Sequence, residues 1–67
     1  MTTLEAVKAE NDRGWLADAH SVARDTGMPM RRAAYELWTL RAQGLVFSDY
    51  LGSYSVDRTQ FHPWRED

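Results

Sequence analysis

The chain lacks cysteine, has only two prolines, and contains no long apolar run. Without cysteine there is neither a disulfide framework nor a thiolate zinc site, which favours a reducing, cytoplasmic setting. No uncharged run approaches the roughly 20 apolar residues of a membrane span, and the N-terminus lacks the basic-then-apolar layout of a signal peptide. These shortages predict a soluble, cytoplasmic protein that does not enter a membrane.

Spacings typical of a catalytic or metal site are also missing. His20 and His62 stand 42 residues apart without a cysteine, which is no recognisable ligand pattern. The serines show no nucleophile motif, and a chain of 67 residues offers little room for a substrate pocket. We therefore predict that the protein is not an enzyme and holds no metal or cofactor.

What the chain has instead is aromatic residues and unevenly distributed charge. Three Trp, three Tyr and two Phe supplement the core of a domain that buries only roughly 60% of its unfolded surface. The net charge is −2, but residues 18–45 carry four arginines against three carboxylates, so only this segment suits a polyanion. With no repeat or linker visible, residues 1–67 are interpreted as one domain with a core at 2–57 and a tail at 58–67.

Start and stop signals predict three helices. Thr2 and Glu5 have the spacing of a capping box that opens the first helix. Asp18 can cap a second helix, which Gly27 ends, and Pro29 suits the first turn of a third. Only a tight turn fits between the second and third helices. The first helix has a thin apolar stripe of Leu4, Ala6, Val7 and Asn11.

The third helix, at about residues 29–43, has two distinct faces when its residues are placed at about 100° intervals. With Leu37 at the centre of the inward face, the other inward positions are Met30, Ala33, Ala34, Leu40, Arg41 and Gly44. The outward positions are Arg32, Tyr35, Thr39 and Ala42, and the flanks hold Arg31, Trp38, Glu36 and Gln43.

After Gly44 the spacing of the apolar residues changes from that of a helix to that of β-strands. The run LVFSDYLGSYSVD has β-branched and aromatic residues on both sides of Gly52, which predicts a two-stranded hairpin with its turn near Leu51 to Ser53. A hairpin must pack on the helices to be stable, and its expected inward residues are Val46, Tyr54 and Val56. The tail HPWRED is expected to be a packing segment, a frayed end or a short motif for a partner.

The segments VARDTG, LRAQGLV and LGSYSV follow one another along the chain, and in this order they resemble parts of the winged helix-turn-helix domain. VARDTG, at 22–27, resembles the segment in which an alanine of the second helix packs under the third helix before the turn glycine. LRAQGLV, at 40–46, is similar to the signature that joins the recognition helix to the wing, and LGSYSV, at 51–56, to the wing's tip and return strand. The resemblance covers residues 16–56 and implies an α+β fold of three helices and a two-stranded wing, as in small bacterial and phage regulators.

The resemblance also implies a transcription regulator whose third helix enters the major groove of double-stranded DNA while the wing and the second helix touch phosphates. Carried over by position, the DNA-contacting residues are Arg31, Arg32, Tyr35, Thr39, Ser21 and Arg58. The hairpin departs from this pattern because it has no Lys or Arg and holds Asp49 and Asp57. Since phosphate contacts supply most non-specific affinity, we expect a homodimer, which meets successive groove faces about 34 Å apart.

Other interpretations of the third helix stay open. Arg31 and Arg32 also fit solvated surface charges, with Arg32 paired to Glu36 four residues on. Trp38 is expected to pack against the hairpin or the tail, whereas Tyr35 points outward to a base, a sugar or a protein partner. The competing function is a protein-interaction module or phage-type inhibitor that binds a host protein, with interface residues Tyr35, Trp38 and Trp64.

Overall fold

The fold consists of three helices followed by a two-stranded antiparallel sheet. The computed structural model describes residues 1–49 and 51–57. The elements are α1 Thr3–Asp12, α2 Ala19–Thr26, α3 Met30–Ala42, β1 Phe47–Ser48 and β2 Tyr54–Ser55. The predicted α+β class and the predicted order of elements are confirmed. In this described part of the chain, no helix is long and apolar enough to cross a bilayer.

Local sequence signals set the ends of the helices. At the start of α1, the Glu5 amide donates to Thr2 Oγ1 at 3.1 Å and the Thr2 amide donates to Glu5 Oε1 at 2.9 Å, which is the predicted capping box. Asp18 caps α2 as expected. Gly27 ends α2 with φ +80°, a left-handed conformation that costs glycine little. Pro29 is the N-cap residue of α3 and precedes its first turn.

The core lies where the three helices meet the strands. Among the described residues, Leu37 of α3 is the largest side chain that is fully buried. Around it lie small and branched side chains from the three helices and from the segments that precede α2 and β1, and the small ones let the helices approach closely. The other buried apolar residues are Ala6, Val7, Ala17, Val22, Ala33 and Val46.

The rotation of α3 about its axis differs from the predicted one. Its buried line runs through Ala33 and Leu37 to the partly buried Leu40, so its centre lies about 30° away from Leu37, towards the side of Glu36. This flank of α3 contacts α1, where the Thr3 hydroxyl donates to Glu36 Oε1 at 2.5 Å. Three positions of α3 that were wrongly predicted to face inward are exposed, Met30, Ala34 and Arg41. Gly44 is exposed as well, because it lies beyond the end of α3 at Ala42.

The hairpin has the predicted turn and the predicted inward residues. Phe47 pairs with Ser55 and Ser48 pairs with Tyr54. Asp49 organises the turn, since its Oδ1 accepts from the amides of two turn residues at 2.9 and 3.0 Å. Three hairpin residues face the core as expected, with the first buried and the others partly buried: Val46, Tyr54 and Val56.

Two polar links between distant segments hold the hairpin on the helices, and neither was predicted. Ala17 bridges Tyr54, with N–O distances of 2.9 and 2.6 Å, and so extends the sheet from the connection between α1 and α2. Asn11 Oδ1 accepts from the Val56 amide at 2.9 Å and from Ser55 Oγ at 3.2 Å. Asn11 was wrongly assigned to an apolar stripe, since it joins α1 to the return strand through hydrogen bonds.

A buried carboxylate joins α1 to α2. The Glu10 side chain is 3% exposed, and Arg24 Nη2 lies 3.0 Å from its Oε2. Arg24 Nε also lies 3.1 Å from Asp25 Oδ1. Because a buried charge is costly without a partner, this pairing makes the position of α2 depend on Arg24.

The buried position of Leu37 predicts a large loss of stability on truncation. Leu37→Ala should lower the free energy of unfolding by about 2–5 kcal/mol, through lost burial and a residual cavity. Leu51→Ala is the matched control because Leu51 is 70% exposed, and it should change the same quantity by less than about 0.5 kcal/mol. Urea unfolding followed by circular dichroism measures both. Equal losses in the two variants would contradict the described core.

Candidate nucleic-acid interface

One side of α3 is open to solvent along most of the helix. It lies opposite the buried line through Ala33 and Leu37. Its members are spaced by three or four residues, so they are neighbours on the helix surface. We call this surface the α3 face and define it by six exposed residues, Arg31, Ala34, Tyr35, Trp38, Arg41 and Ala42.

Arg31 and Arg41 are the positive charges of the α3 face. Within residues 1–49 and 51–57, neither guanidinium forms an ion pair. Arg31 was predicted as a contact residue, whereas Arg41 was placed on the inward side and missed. The rule that arginine is rarely buried without a partner is the signal that identifies Arg41 from sequence.

Arg32 is paired with a neighbouring carboxylate through one of its nitrogens. Its Nε lies 3.0 Å from Glu36 Oε2, and the other oxygen of Glu36 accepts from Thr3 of α1. The surface ion pair that the sequence allowed as an alternative is thus present. Arg32 is therefore a weaker candidate for DNA contact than Arg31.

The Glu36 carboxylate is stabilised in its charged form. The hydrogen bond from the Thr3 hydroxyl, followed by the one from Arg32, lowers the pKa of Glu36 below the usual glutamate value. A charged Glu36 keeps the guanidinium of Arg32 paired at neutral pH. The local positive charge of α3 consequently rests on Arg31 and Arg41.

Two hydroxyl groups expected at the interface are used within the protein. Thr39 Oγ1 donates to the Tyr35 carbonyl at 2.8 Å, so it has no proton left for a base. Ser21 Oγ accepts from the Asp18 amide and donates to the Asp18 carbonyl. The Asp18 carboxylate accepts from the Ser21 amide and places a negative charge where a phosphate would bind. The geometry therefore does not favour Thr39 or Ser21 as polar contacts.

The aromatic residues of α3 both face solvent. Tyr35 is 67% exposed, as its predicted outward position requires. Trp38 is 60% exposed, so it is not buried against the hairpin, and the alternative that it packs against the tail lies outside the described residues. Because they are three residues apart on one helix, the two rings are neighbours on its surface, and contiguous exposed apolar surface of this kind is typical of binding sites. Two further predicted contact residues, Arg58 and Trp64, lie outside the described residues.

The hairpin is apolar and acidic at its surface. Leu51 at the turn is 70% exposed and Leu45 before β1 is 49% exposed. The Asp49 carboxylate is used by the turn, and residues 45–57 contain no Lys or Arg. The hairpin therefore lacks side-chain cations for phosphate contact.

Neither a protein-family model, nor a curated protein, nor a solved structure matches this chain. The α3 face must accordingly be interpreted from its own chemistry. Beside it, at the start of the helix, lies an open depression lined by Pro29, Arg31, Arg32 and Tyr35. Positive charge and an aromatic ring thus meet at the N-terminal half of α3.

The hydrogen bonds of three carboxylates predict loss of stability in acid. Thr2 lowers the pKa of Glu5, Arg24 lowers that of Asp25, and Thr3 lowers that of Glu36. A group with a lowered folded-state pKa contributes its stability above its unfolded value, and this contribution is lost as pH falls through the folded value. The free energy of unfolding should thus decrease when the pH is lowered below the ordinary pKa values, which are 4.5 for glutamate and 3.8 for aspartate.

Urea unfolding at pH 7, 5 and 3 measures this dependence. Glu36→Gln should reduce the loss between pH 5 and 3, because one of the titrating groups is gone. Asp12→Asn is the control, since exposed Asp12 makes no side-chain hydrogen bond or ion pair in the described part of the chain. A loss that is the same in both variants would contradict the role given to Glu36.

Proposed function

We propose that this protein is a small winged-helix transcriptional regulator that inserts α3 into the major groove of double-stranded DNA. The observation that carries the proposal is the α3 face, with Arg31 and Arg41 exposed and outside the ion pairs of the described residues. The order of helix, tight turn at Gly27, helix and hairpin is compatible with the winged-helix topology. Under this proposal the chain acts in the cytoplasm of a bacterium, on its own genome or that of a phage.

The dimensions of the α3 face suit a major groove. Arg31 and Arg41 are ten residues apart, which corresponds to about 15 Å along a helix axis. The groove is about 12 Å wide and admits one α-helix. Arginines at both ends of the face therefore suit phosphates on the two strands, with the aromatic rings directed at the bases between them.

The small number of cations favours a dimer as the binding form. Each neutralised phosphate contributes about −0.9 to the slope of log affinity against log salt concentration. Two arginines per chain give a slope of about −2, which corresponds to weak binding at physiological salt. A homodimer doubles the contacts and places two α3 helices on half-sites about 34 Å apart.

A second candidate function uses the same fold for protein recognition. The observation that favours it is the exposure of Tyr35 and Trp38 at the centre of the α3 face, since aromatic residues dominate binding hot spots. The acidic, apolar hairpin fits a protein partner better than it fits a polyanion. In this alternative the chain is an interaction module or phage-type inhibitor of a host protein.

Removing either free arginine should weaken DNA binding and its salt dependence. Arg31→Ala and Arg41→Ala should each lower affinity for a mixed-sequence 24-base-pair duplex and reduce the salt slope by about one unit. Lys8→Ala is the matched control, because it removes the same charge from an exposed position of α1. Fluorescence anisotropy between about 50 and 200 mM salt resolves such slopes.

The two candidate functions give different results in this assay. An unchanged slope in both arginine variants would remove these residues as phosphate contacts. An absence of binding at tens of micromolar protein and low salt, with the dimer verified by light scattering, would exclude the DNA-binding function. That result would favour the protein-recognition function.

A further inference from the structure

The α3 face offers few hydrogen-bond donors to base edges. Beside this face, Arg32 is paired with Glu36 through its Nε, and the Thr39 hydroxyl is bonded to the Tyr35 carbonyl. The remaining donors are the ends of Arg31 and Arg41, the Tyr35 hydroxyl and the Trp38 indole N–H. With Arg31 and Arg41 placed on phosphates, as proposed above, the α3 face has no arginine left for a bidentate contact with guanine and no Asn or Gln for adenine.

The centre of the same face is apolar. Tyr35 and Trp38 expose most of their rings, and the methyl groups of Ala34 and Ala42 lie beside them on the helix surface. Removing this surface from water is favourable when it packs against another apolar surface.

In the major groove, the apolar group that base pairs present is the C5-methyl of thymine. We infer that the α3 face reads thymine methyl groups and that its preferred ligand is an A·T-rich duplex; this rests on the proposed DNA-binding function. Tyr35 and Trp38 determine the specificity by packing on these methyl groups. Arg31 and Arg41 hold the helix to the phosphates without distinguishing sequences.

Replacing thymine by deoxyuridine tests the inference directly. A 20-base-pair, non-self-complementary duplex of A·T pairs is compared with the same duplex in which every thymine is deoxyuridine. This change removes the methyl groups and keeps the charge and the hydrogen-bonding groups. Affinity should fall about fourfold for each methyl that the protein contacts, from the free energy of burying one such group. Fluorescence anisotropy at low salt measures the ratio.

A G·C duplex provides the converse comparison. It should bind more weakly than the A·T duplex with thymine. Replacing its cytosines by 5-methylcytosine puts a methyl group at the corresponding carbon of the pyrimidine ring, so affinity should rise. The methyl group would then be the determinant in two unrelated sequences.

Variants assign the preference to the two rings. Tyr35→Ala and Trp38→Ala should bring the thymine-to-deoxyuridine affinity ratio towards one, and circular dichroism verifies that these exposed positions leave the fold intact. Trp15→Ala is the matched control, because Trp15 is also 60% exposed but lies outside α3. Its ratio should equal that of the unaltered protein, whereas Arg31→Ala should weaken both duplexes alike.

The outcomes separate this inference from the proposed function. Equal affinity for the thymine and deoxyuridine duplexes overturns the methyl-reading role and leaves DNA binding in place. A preference for thymine that persists in the Tyr35→Ala, Trp38→Ala double variant also overturns it, since the preference would then come from duplex shape. No binding to any of the duplexes overturns both.

Discussion

The hydrogen bond between Thr3 and Glu36 is the constraint on which the presentation of α3 depends. It fixes one flank of α3 against α1, next to the buried line of Ala33, Leu37 and Leu40. A helix with a different rotation would bury Arg41 or expose Leu37, and both changes are costly. The composition of the outward surface is therefore a consequence of how the core is built.

The same contact links stability to the charge of the surface. Glu36 binds Thr3 with one oxygen and Arg32 with the other. The carboxylate that joins α3 to α1 therefore also neutralises a cation of α3. The Thr39 hydroxyl is likewise used within the protein. The surface left for a ligand has arginines at its ends and apolar groups in its middle, which sets it apart from a purely basic DNA-binding helix.

Features encoded by neighbouring residues were predictable from sequence, and features made by distant residues were not. The capping box of α1 and the stop at Gly27 depend on residues within one turn, so their spacing reveals them. The contact between α1 and α3 involves Thr3, which lies 33 residues before Glu36. The attachment of the hairpin to α1 involves Asn11 and Val56. Assigning Arg41 to the inward face followed from centring the helix on Leu37 alone.

The most direct test of the proposal that the α3 face binds duplex DNA is an NMR titration of the 15N-labelled protein with a mixed-sequence duplex. The tryptophan indole signals act as internal probes, since Trp38 lies on the α3 face and Trp15 lies outside α3. The proposal predicts shifts at the Trp38 indole and at the amides of Arg31 and Tyr35, with Trp15 unaffected. Shifts at Trp15 and along α1, with the α3 face unchanged, would contradict it.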